Sequence, residues 1–308
     1  MLTTPILLIT FNRPTHTRRS LEAILAAQPM ELYVFQDGAR PNVENDEAKC
    51  TEVKRVIEEL VDKTKIRLHT LYENENLGCG PGPVEAITWF FGEVEQGIII
   101  EDDCVLASSG FLFYEYLLER YKNDSSVSAI TATNLHLKWR SRKNPYLFAT
   151  VGAGTLGCWA SWASSWKLFD YQIREWQTEK GRETFRKNLG KRLYYDYYEN
   201  IFDMCTAEQT HIWDYQWFFA KILHNTLTIV ASRNMVSNIG FDSEGTHTIG
   251  CSRLADLPVY SAVKPLGEVD KKRDALFDWV VFQRYYYLQK KSILKRILLK
   301  LIDLFFQR

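Results

Sequence analysis

Through its first 135 residues the chain alternates short apolar runs with helix-spaced stretches, and each run stops abruptly at polar residues. Pro5 to Phe11 is a β-rich run closed by Asn12-Arg13-Pro14, and the stretch after it places Leu21, Ile24 and Leu25 on one helical face. Glu31 to Gln36 reads as a second strand ending at Asp37-Gly38, followed by Val53, Val56, Ile57, Leu60 and Val61 at helical spacing. Ile66 to Tyr72 is the third strand. Gly78, Gly80, Pro81, Gly82 and Pro83 mark a loop that opens a helix over Val84 to Val94, and a fourth strand ends at Ile100. A helix over Gly110 to Tyr121 and a strand over Val127 to Thr133 complete the pattern. Alternation with short links predicts an α/β fold, a mostly parallel sheet flanked by helices. Its polar strand ends collect on one rim.

The sharpest of these ends is Glu101-Asp102-Asp103, directly after Gly97-Ile98-Ile99-Ile100. Carboxylates at the carboxyl edge of such a sheet sit where open α/β folds bind ligands. Hard oxygen ligands there suit Mn²⁺ or Mg²⁺ carrying a diphosphate, because these cations complete their shell with water and phosphate oxygens. The plainer reading is an acidic turn that solvates a loop.

With 308 residues and 46% hydrophobic content, the chain can bury a large core as one domain or a domain with a subdomain. Lys plus Arg (38) balances Asp plus Glu (38), so the bulk charge gives no support for nucleic acid as a partner. The six cysteines lie far apart with no Cys-x-x-Cys pair, which argues against a zinc site or disulfide scaffold. They are expected to be reduced, mostly buried thiols of a cytoplasmic protein. Met1 to Ile9 lacks the basic lead-in of a signal peptide, and no apolar stretch is long enough to span a bilayer.

Beyond Asn134 the alternation weakens. Thr150 to Trp166 is rich in Gly, Ala, Ser and Trp; Ile173 to Asn200 is charged, aromatic and helical in character; a helix is expected over Asp214 to Leu223 and a strand over Thr226 to Ala231. Pro258 to Asp274 reads as irregular and exposed. At the end, Ile293, Leu294, Ile297, Leu298, Leu301, Ile302 and Phe305 share a helical face, with Lys290, Lys291, Lys295, Arg296, Lys300 and Arg308 supplying positive charge. Such a helix either lies in a membrane interface, drawn to anionic lipid, or docks on the protein's own core or a second subunit.

The ordered set Thr10-Phe11-Asn12-Arg13, Gln36-Asp37-Gly38, Asn76-Leu77-Gly78 and Glu101-Asp102-Asp103 resembles the nucleotide-sugar-binding half of GT-A fold glycosyltransferases. More narrowly it is similar to the group holding N-acetylglucosaminyltransferase I enzymes and bacterial polysaccharide glycosyltransferases, which also carry a segment like Ser109 to Tyr116 after the acids. The likeness covers about the first 140 residues and continues more loosely to about residue 250. It implies a catalytic domain over 1–257, with a donor-binding half (1–135) and an acceptor and catalytic half (136–257), and a C-terminal extension over 258–308.

What the resemblance implies for residues is specific. Thr10, Asn12, Arg13, Asp37, Gly38, Asn76, Gly78, Glu101 and Asp102 would bind the donor, with Arg13 near its phosphates, Asp37 accepting the uracil N3 proton, Asp102 near the ribose and Glu101 approaching the sugar. Asp103 would bind Mn²⁺ or Mg²⁺ directly. Asp214, in a Trp-Asp segment, would be the base that takes the acceptor hydroxyl proton in an inverting transfer; as a bare residue it equally suits a helix N-cap. Asp203 and Glu208 are fallback carboxylates. His247, in the loop after Ser237 to Asp242, would touch the phosphates or metal as that loop closes over the donor and excludes water. Trp159 or Trp162 would stack on a sugar at the acceptor side, with core packing as the alternative.

The function implied is metal-dependent transfer of a hexosyl or N-acetylhexosaminyl group from a UDP-sugar to a hydroxyl of a glycan or lipid-linked glycan of cell-surface polysaccharide type, with possible peripheral contact to the inner membrane face through 290–308. Two rivals stand. A sugar-nucleotidyltransferase would carry a glycine-rich loop with a basic residue after the first strand, where this chain has Asn12-Arg13-Pro14. A non-enzymatic membrane-binding protein would leave the strand-end acids without a purpose. Gly78 to Gly82 lacks the basic or histidine residue some relatives place against the base, and Ile173 to Asn200 aligns with nothing in them.

Overall fold

Every residue of the first strand, β1 (Ile6–Thr10), is buried, as a central strand covered on both faces requires. The computed structural model describes residues 1–151, 157–207, 212–241, 255–263, 267–287 and 293–306. After β1 come α1 (Pro14–Ala26), β2 (Glu31–Gln36), α2 (Asp46–Leu60), β3 (Arg67–Tyr72), α3 (Pro81–Glu93), β4 (Gln96–Glu101), β5 (Cys104–Leu106), α4 (Ser108–Tyr121), β6 (Val127–Thr131), β7 (Tyr146–Ala149), β8 (Cys158–Trp162) and α5 (Ala163–Trp166). A 3-10 turn (Arg174–Gln177), α6 (Glu179–Leu189), α7 (Arg192–Thr206), α8 (Asp214–Leu223), β9 (Leu227–Ala231), β10 (Val236–Asn238), α9 (Ala275–Val281), a π-helical turn (Phe282–Tyr286) and α10 (Ile293–Phe306) follow.

Eight strands form one sheet in the order β3-β2-β1-β4-β8-β6-β9-β7. Only β8 and β7 run against the rest of that sheet. The mostly parallel sheet flanked by helices is therefore the architecture the chain builds. Residues alternate across it. Ile6 and Leu8 face a core shared with Leu21, Ile24, Val53 and Ile57 of α1 and α2, while Leu7 and Ile9 face Ala86, Ile87 and Phe90 of α3 and Trp217 of α8.

Helix α3 begins three residues before the expected Val84, because Pro81 fits the first helical turn, where a missing N–H costs no intrahelical bond. Four strands had no counterpart in the sequence reading: β5, β7, β8 and β10. The segment over 173–200 is helical as expected, and its aromatic residues build a separate core in which Trp176, Phe185, Tyr198 and Phe202 meet Phe219 of α8. Residues 258–263 and 267–274 contain no helix or strand.

Helix α10 docks on the protein's own body through one side. Leu299 and Ile302 are buried against a cluster containing Trp139, Phe277 and Val281, Phe306 stacks on Trp139 at 4.8 Å, and Arg284 pairs with Asp303 at 2.6 Å. The other side stays open: Leu294, Ile297, Leu298, Leu301 and Phe305 are all exposed. No described helix is long and apolar enough to cross a membrane.

Candidate active site

Parallel pairing in register, Thr10 opposite Gln36 and Ile9 opposite Glu101, brings the carboxyl ends of β1, β2 and β4 to one edge. The backbone continues that alignment past the strands, since Asp37 N donates to Thr10 O at 3.1 Å and Asp102 N to Ile9 O at 2.9 Å. A cavity of about 320 Å³ opens there, at the lower end of the size range for small-ligand sites. Ile9, Phe11, Phe35 and Pro83 give it an apolar wall; Arg13, Arg40, Glu101 and Asp102 give it charge; Thr10, Asp37, Asn76, Gly78 and Cys79 complete the lining. Thus seven of the residues expected at the donor share one cavity, namely Thr10, Arg13, Asp37, Asn76, Gly78, Glu101 and Asp102.

The acids crowd one another. Burial, with the charges of Asp103, Asp102 and Asp214, pushes Glu101 up to about 8. Burial and Asp103 likewise raise Asp102 to about 7, against the lowering pull of Arg13. The Arg13 guanidinium lies 3.3 Å from Asp103 and 3.9 Å from Asp102 and offsets part of this repulsion. Asp103 does not line the cavity; its carboxylate also accepts from Asn238 Nδ2 at 3.3 Å. Gly240 rests on it so closely that a Cβ there would collide with the carboxylate.

Among the described residues, no group of three or more His, Cys, Asp or Glu side chains is placed to enclose a metal ion. A cation held by one or two carboxylates, with its other ligands from phosphate and water, needs no such cage. The surplus negative charge at Glu101 to Asp103 fits that mode.

Several polar residues are already committed to the protein itself. Asp37 accepts from Leu77 N at 2.7 Å, Gly78 N and Gly38 N at 2.9 Å, and Asn76 Nδ2 at 3.0 Å. Four bonds use the lone-pair capacity of a carboxylate, so Asp37 ties the end of β2 to the loop before α3 and has no acceptor position left for a uracil imide. Burial raises its pKa while those backbone bonds lower it. Asn12 Nδ2 donates to Asp46, which in turn holds Arg40 through Nε at 2.8 Å and Nη2 at 2.9 Å. Arg40 thereby keeps Asp46 down at about 2 and lies 5.3 Å above the Phe11 ring. Neither Asn12 nor Gly38 lines the cavity. Gly38 instead packs where a Cβ would strike the Glu75 backbone.

Sequence reading missed Arg40, Phe35 and Cys79. The available signal for Arg40 was its place four residues after a strand end, close to that of Arg13, three residues after β1. Cys79 also departs from the expectation of buried thiols, being exposed, whereas Cys50, Cys104 and Cys158 are buried. No disulfide joins the described cysteines.

Asp214 opens α8 in its first turn, with Trp213 at the cap position. It does not line the cavity, but its charge helps to raise Glu101 and Cys79, which do. Trp213 stacks on Trp159 at 6.0 Å, so the tryptophan core sets the position of the segment carrying Asp214. Neither predicted acceptor-side tryptophan offers a face to a ligand. Trp159 is fully buried among Trp166, Trp213 and Trp217. Trp162 is 4% exposed, donates to Leu118 O at 3.1 Å and pairs with Gln96 at the start of β4. Because β8 runs antiparallel to β4, Trp162 stands about 13 Å from the rim, four residues along the strand. Both rings are core.

The loop after β10 begins where expected. β10 pairs with β5 beside the acids, and Ile239 N donates to Asp103 O at 2.8 Å. His247 and Glu208 lie outside the described residues. Asp203 sits away from the cavity, paired with Arg182 at 2.8 Å and accepting from Trp176 Nε1 at 2.9 Å.

No protein-family model matches the chain, and no curated protein matches it. Solved structures overlap it in part. HddC from Yersinia pseudotuberculosis is 11% identical over 53% of this chain and 78% of its own, with a TM-score of 0.31. A UDP-glucose pyrophosphorylase complexed with UDP-glucose is 9% identical over 75% of this chain and 90% of its own, TM-score 0.36. A 4-diphosphocytidyl-2C-methyl-D-erythritol synthase from Anaerococcus prevotii is 10% identical over 74% and 88%, TM-score 0.34.

Proposed function

We propose that this chain is a metal-dependent glycosyltransferase of the GT-A type that moves a sugar from a UDP-sugar to a glycan hydroxyl with inversion. The observation that carries the reading is the cavity itself: an aromatic wall, two guanidinium groups and two strand-end carboxylates share one small space at the carboxyl edge of the parallel sheet. Phe11 and Phe35 suit the flat face of a base, Arg13 and Arg40 suit phosphates, and Glu101 faces the sugar. Asp103, with Asp102, would hold Mn²⁺ or Mg²⁺, which when bound supplies neutralisation of charge growing on the departing diphosphate.

Asp214 takes the proton of the acceptor hydroxyl as that oxygen attacks the anomeric carbon and the bond from that carbon to the diphosphate breaks. Its place at the start of α8, from which its charge reaches Glu101, suits a group on the acceptor side of the donor. Asp37 and Asn12 position rather than bind: one holds the loop of Asn76 and Gly78, the other holds Asp46 under Arg40.

The second reading is a sugar-nucleotidyltransferase, which would bind a nucleoside triphosphate and a sugar phosphate in the same cavity. Only three residues, Phe11 to Arg13, separate β1 from α1, and none is glycine. That link is too short to wrap a triphosphate through backbone N–H groups in the manner of a glycine-rich loop. The transferase reading is therefore the one we adopt. The open side of α10, rimmed by Arg296 and Lys300, adds peripheral contact with an anionic membrane face.

Calorimetric titration with UDP, with and without Mn²⁺, tests the assignment. Wild type should bind UDP at least tenfold tighter with Mn²⁺, Asp103→Asn should lose that gain, and Asp214→Asn should keep it while transfer falls about 10²-fold or more. Release of pyrophosphate from UTP and a sugar 1-phosphate would instead establish the nucleotidyltransferase.

A further inference from the structure

A second, larger groove of about 640 Å³ lies between α7 and the π-helical turn. Tyr197 and Asn200 of α7 face Tyr286 and Tyr287 across it, with Asp196 at the edge. Among the described residues, no Lys or Arg side chain lines it. Its chemistry is that of flat aromatic faces edged by hydroxyl, amide and carboxylate groups, which complements the apolar C–H faces and outward hydroxyls of a neutral sugar.

The groove connects to Asp214 through tyrosines. The Tyr197 and Tyr286 rings are 6.1 Å apart, Tyr197 meets Tyr198 at 5.0 Å, and Tyr198 meets Tyr215, the neighbour of Asp214, at 6.3 Å. Burial pushes the Tyr215 and Tyr286 hydroxyls up, and the Asp214 charge adds to the rise at each. The ring contacts thus lead from the groove to the residue next to Asp214. The local backbone is built for this: Phe282–Tyr286 forms a π-helical turn, a feature that recurs at functional sites. Buried Phe282 anchors it against Tyr194 at 4.6 Å.

We propose that this groove binds the acceptor glycan, a neutral oligosaccharide laid on Tyr197 and Tyr286 with its reacting hydroxyl toward Asp214. The assignment of acceptor role rests on the transferase reading above; carbohydrate binding by the groove does not. It replaces Trp159 and Trp162, which the fold buries.

Saturation-transfer NMR on the full chain, with lactose, maltose and chitobiose as probes in the presence of UDP and Mn²⁺, tests it. At least one disaccharide should receive saturation, and Tyr197→Ala and Tyr286→Ala should weaken that signal about tenfold while UDP affinity stays within twofold. Should either alanine variant fail to fold, Asn200→Ala, at an exposed position, and Tyr197→Phe supply the same reading at lower structural risk. Disaccharide contact that none of these changes reduces, or no contact with any probe, overturns the proposal. If UDP fails to bind but the tyrosine variants still abolish disaccharide contact, the groove stands as a carbohydrate site and the transferase reading falls instead.

Discussion

Lys221 carries its ammonium into the interior, 3% exposed, 5.9 Å from the centre of the Trp217 ring and 3.3 Å from Thr228 Oγ1. Burial lowers its pKa from 10.5 to about 7, with Asp214 opposing. Between pH 7 and 10.5 the unfolded chain therefore binds more protons than the folded one, and stability rises with pH; below 7 the cost of burying the charge is fully present. Lys221→Met should remove that slope and be more stable than wild type at pH 6, by on the order of 1–3 kcal/mol, with the gap closing towards pH 10. Urea unfolding at pH 6, 7.5 and 9 measures it, and parallel curves for the two proteins would show that the folded protein keeps the lysine charged throughout. The same scale shows why the site was only partly legible. A carboxylate next to glycine at a strand end marks Asp37 as interesting, but three of its four internal hydrogen bonds come from a loop about forty residues away, and no local pattern announces them. Arg40 was missed for a similar reason, since the Asp46 that holds it is itself fixed by Asn12, from another part of the chain.

Elements with a clear period were readable because period is a property of consecutive residues: β2 and α8 match their expected bounds. The strands missed are short, and β7 and β8 are buried on both faces, so they show no alternation to separate them from a buried helix or loop. Helix α10 was legible as amphipathic but not as two-sided. Its apolar arc is wide enough to dock Leu299 and Ile302 and still display Leu294, 79% exposed, and Phe305, 76% exposed. The docked side fixes the helix, and six Lys or Arg residues against one Asp between 290 and 308 make self-association of that face unfavourable and an anionic surface favourable. Replacing both Leu294 and Phe305 by Ser should cut sedimentation with phosphatidylglycerol vesicles by tenfold or more, since inserting a large apolar side chain contributes about 1.5–3 kcal/mol. Because both residues are exposed, the thermal transition should hold. Equal binding to neutral vesicles, or a dimer lost on the same substitution, would mean the face serves another purpose.

At the scale of the whole molecule, the eight-stranded sheet runs without a break from β3 to β7. β4 pairs with β8, β8 with β6 and β6 with β9, so the strands carrying Glu101 and leading into the loop over the acids belong to one body. The sequence suggested a C-terminal extension after residue 257, with residues 258–274 irregular, but irregular backbone says nothing about what the next helix covers. Phe277, Val280 and Val281 of α9 are each 0% exposed and pack on Trp139, Leu147 and Val230. Asp278, also fully buried, accepts from Thr150 N at 3.0 Å and Thr150 Oγ1 at 2.9 Å and pairs with Arg273 at 2.5 Å. Three such apolar side chains alone contribute about 5–9 kcal/mol at about 1.5–3 kcal/mol each, comparable with the whole net stability of a typical domain, about 5–15 kcal/mol. A chain ending at 257 should therefore show no cooperative unfolding by calorimetry. One ending at 287 keeps α9 and the tyrosines of the groove, loses only α10, and should retain a single transition at lower temperature together with metal-linked UDP binding. A sharp transition in the shorter chain would mean that the sheet closes its core without α9.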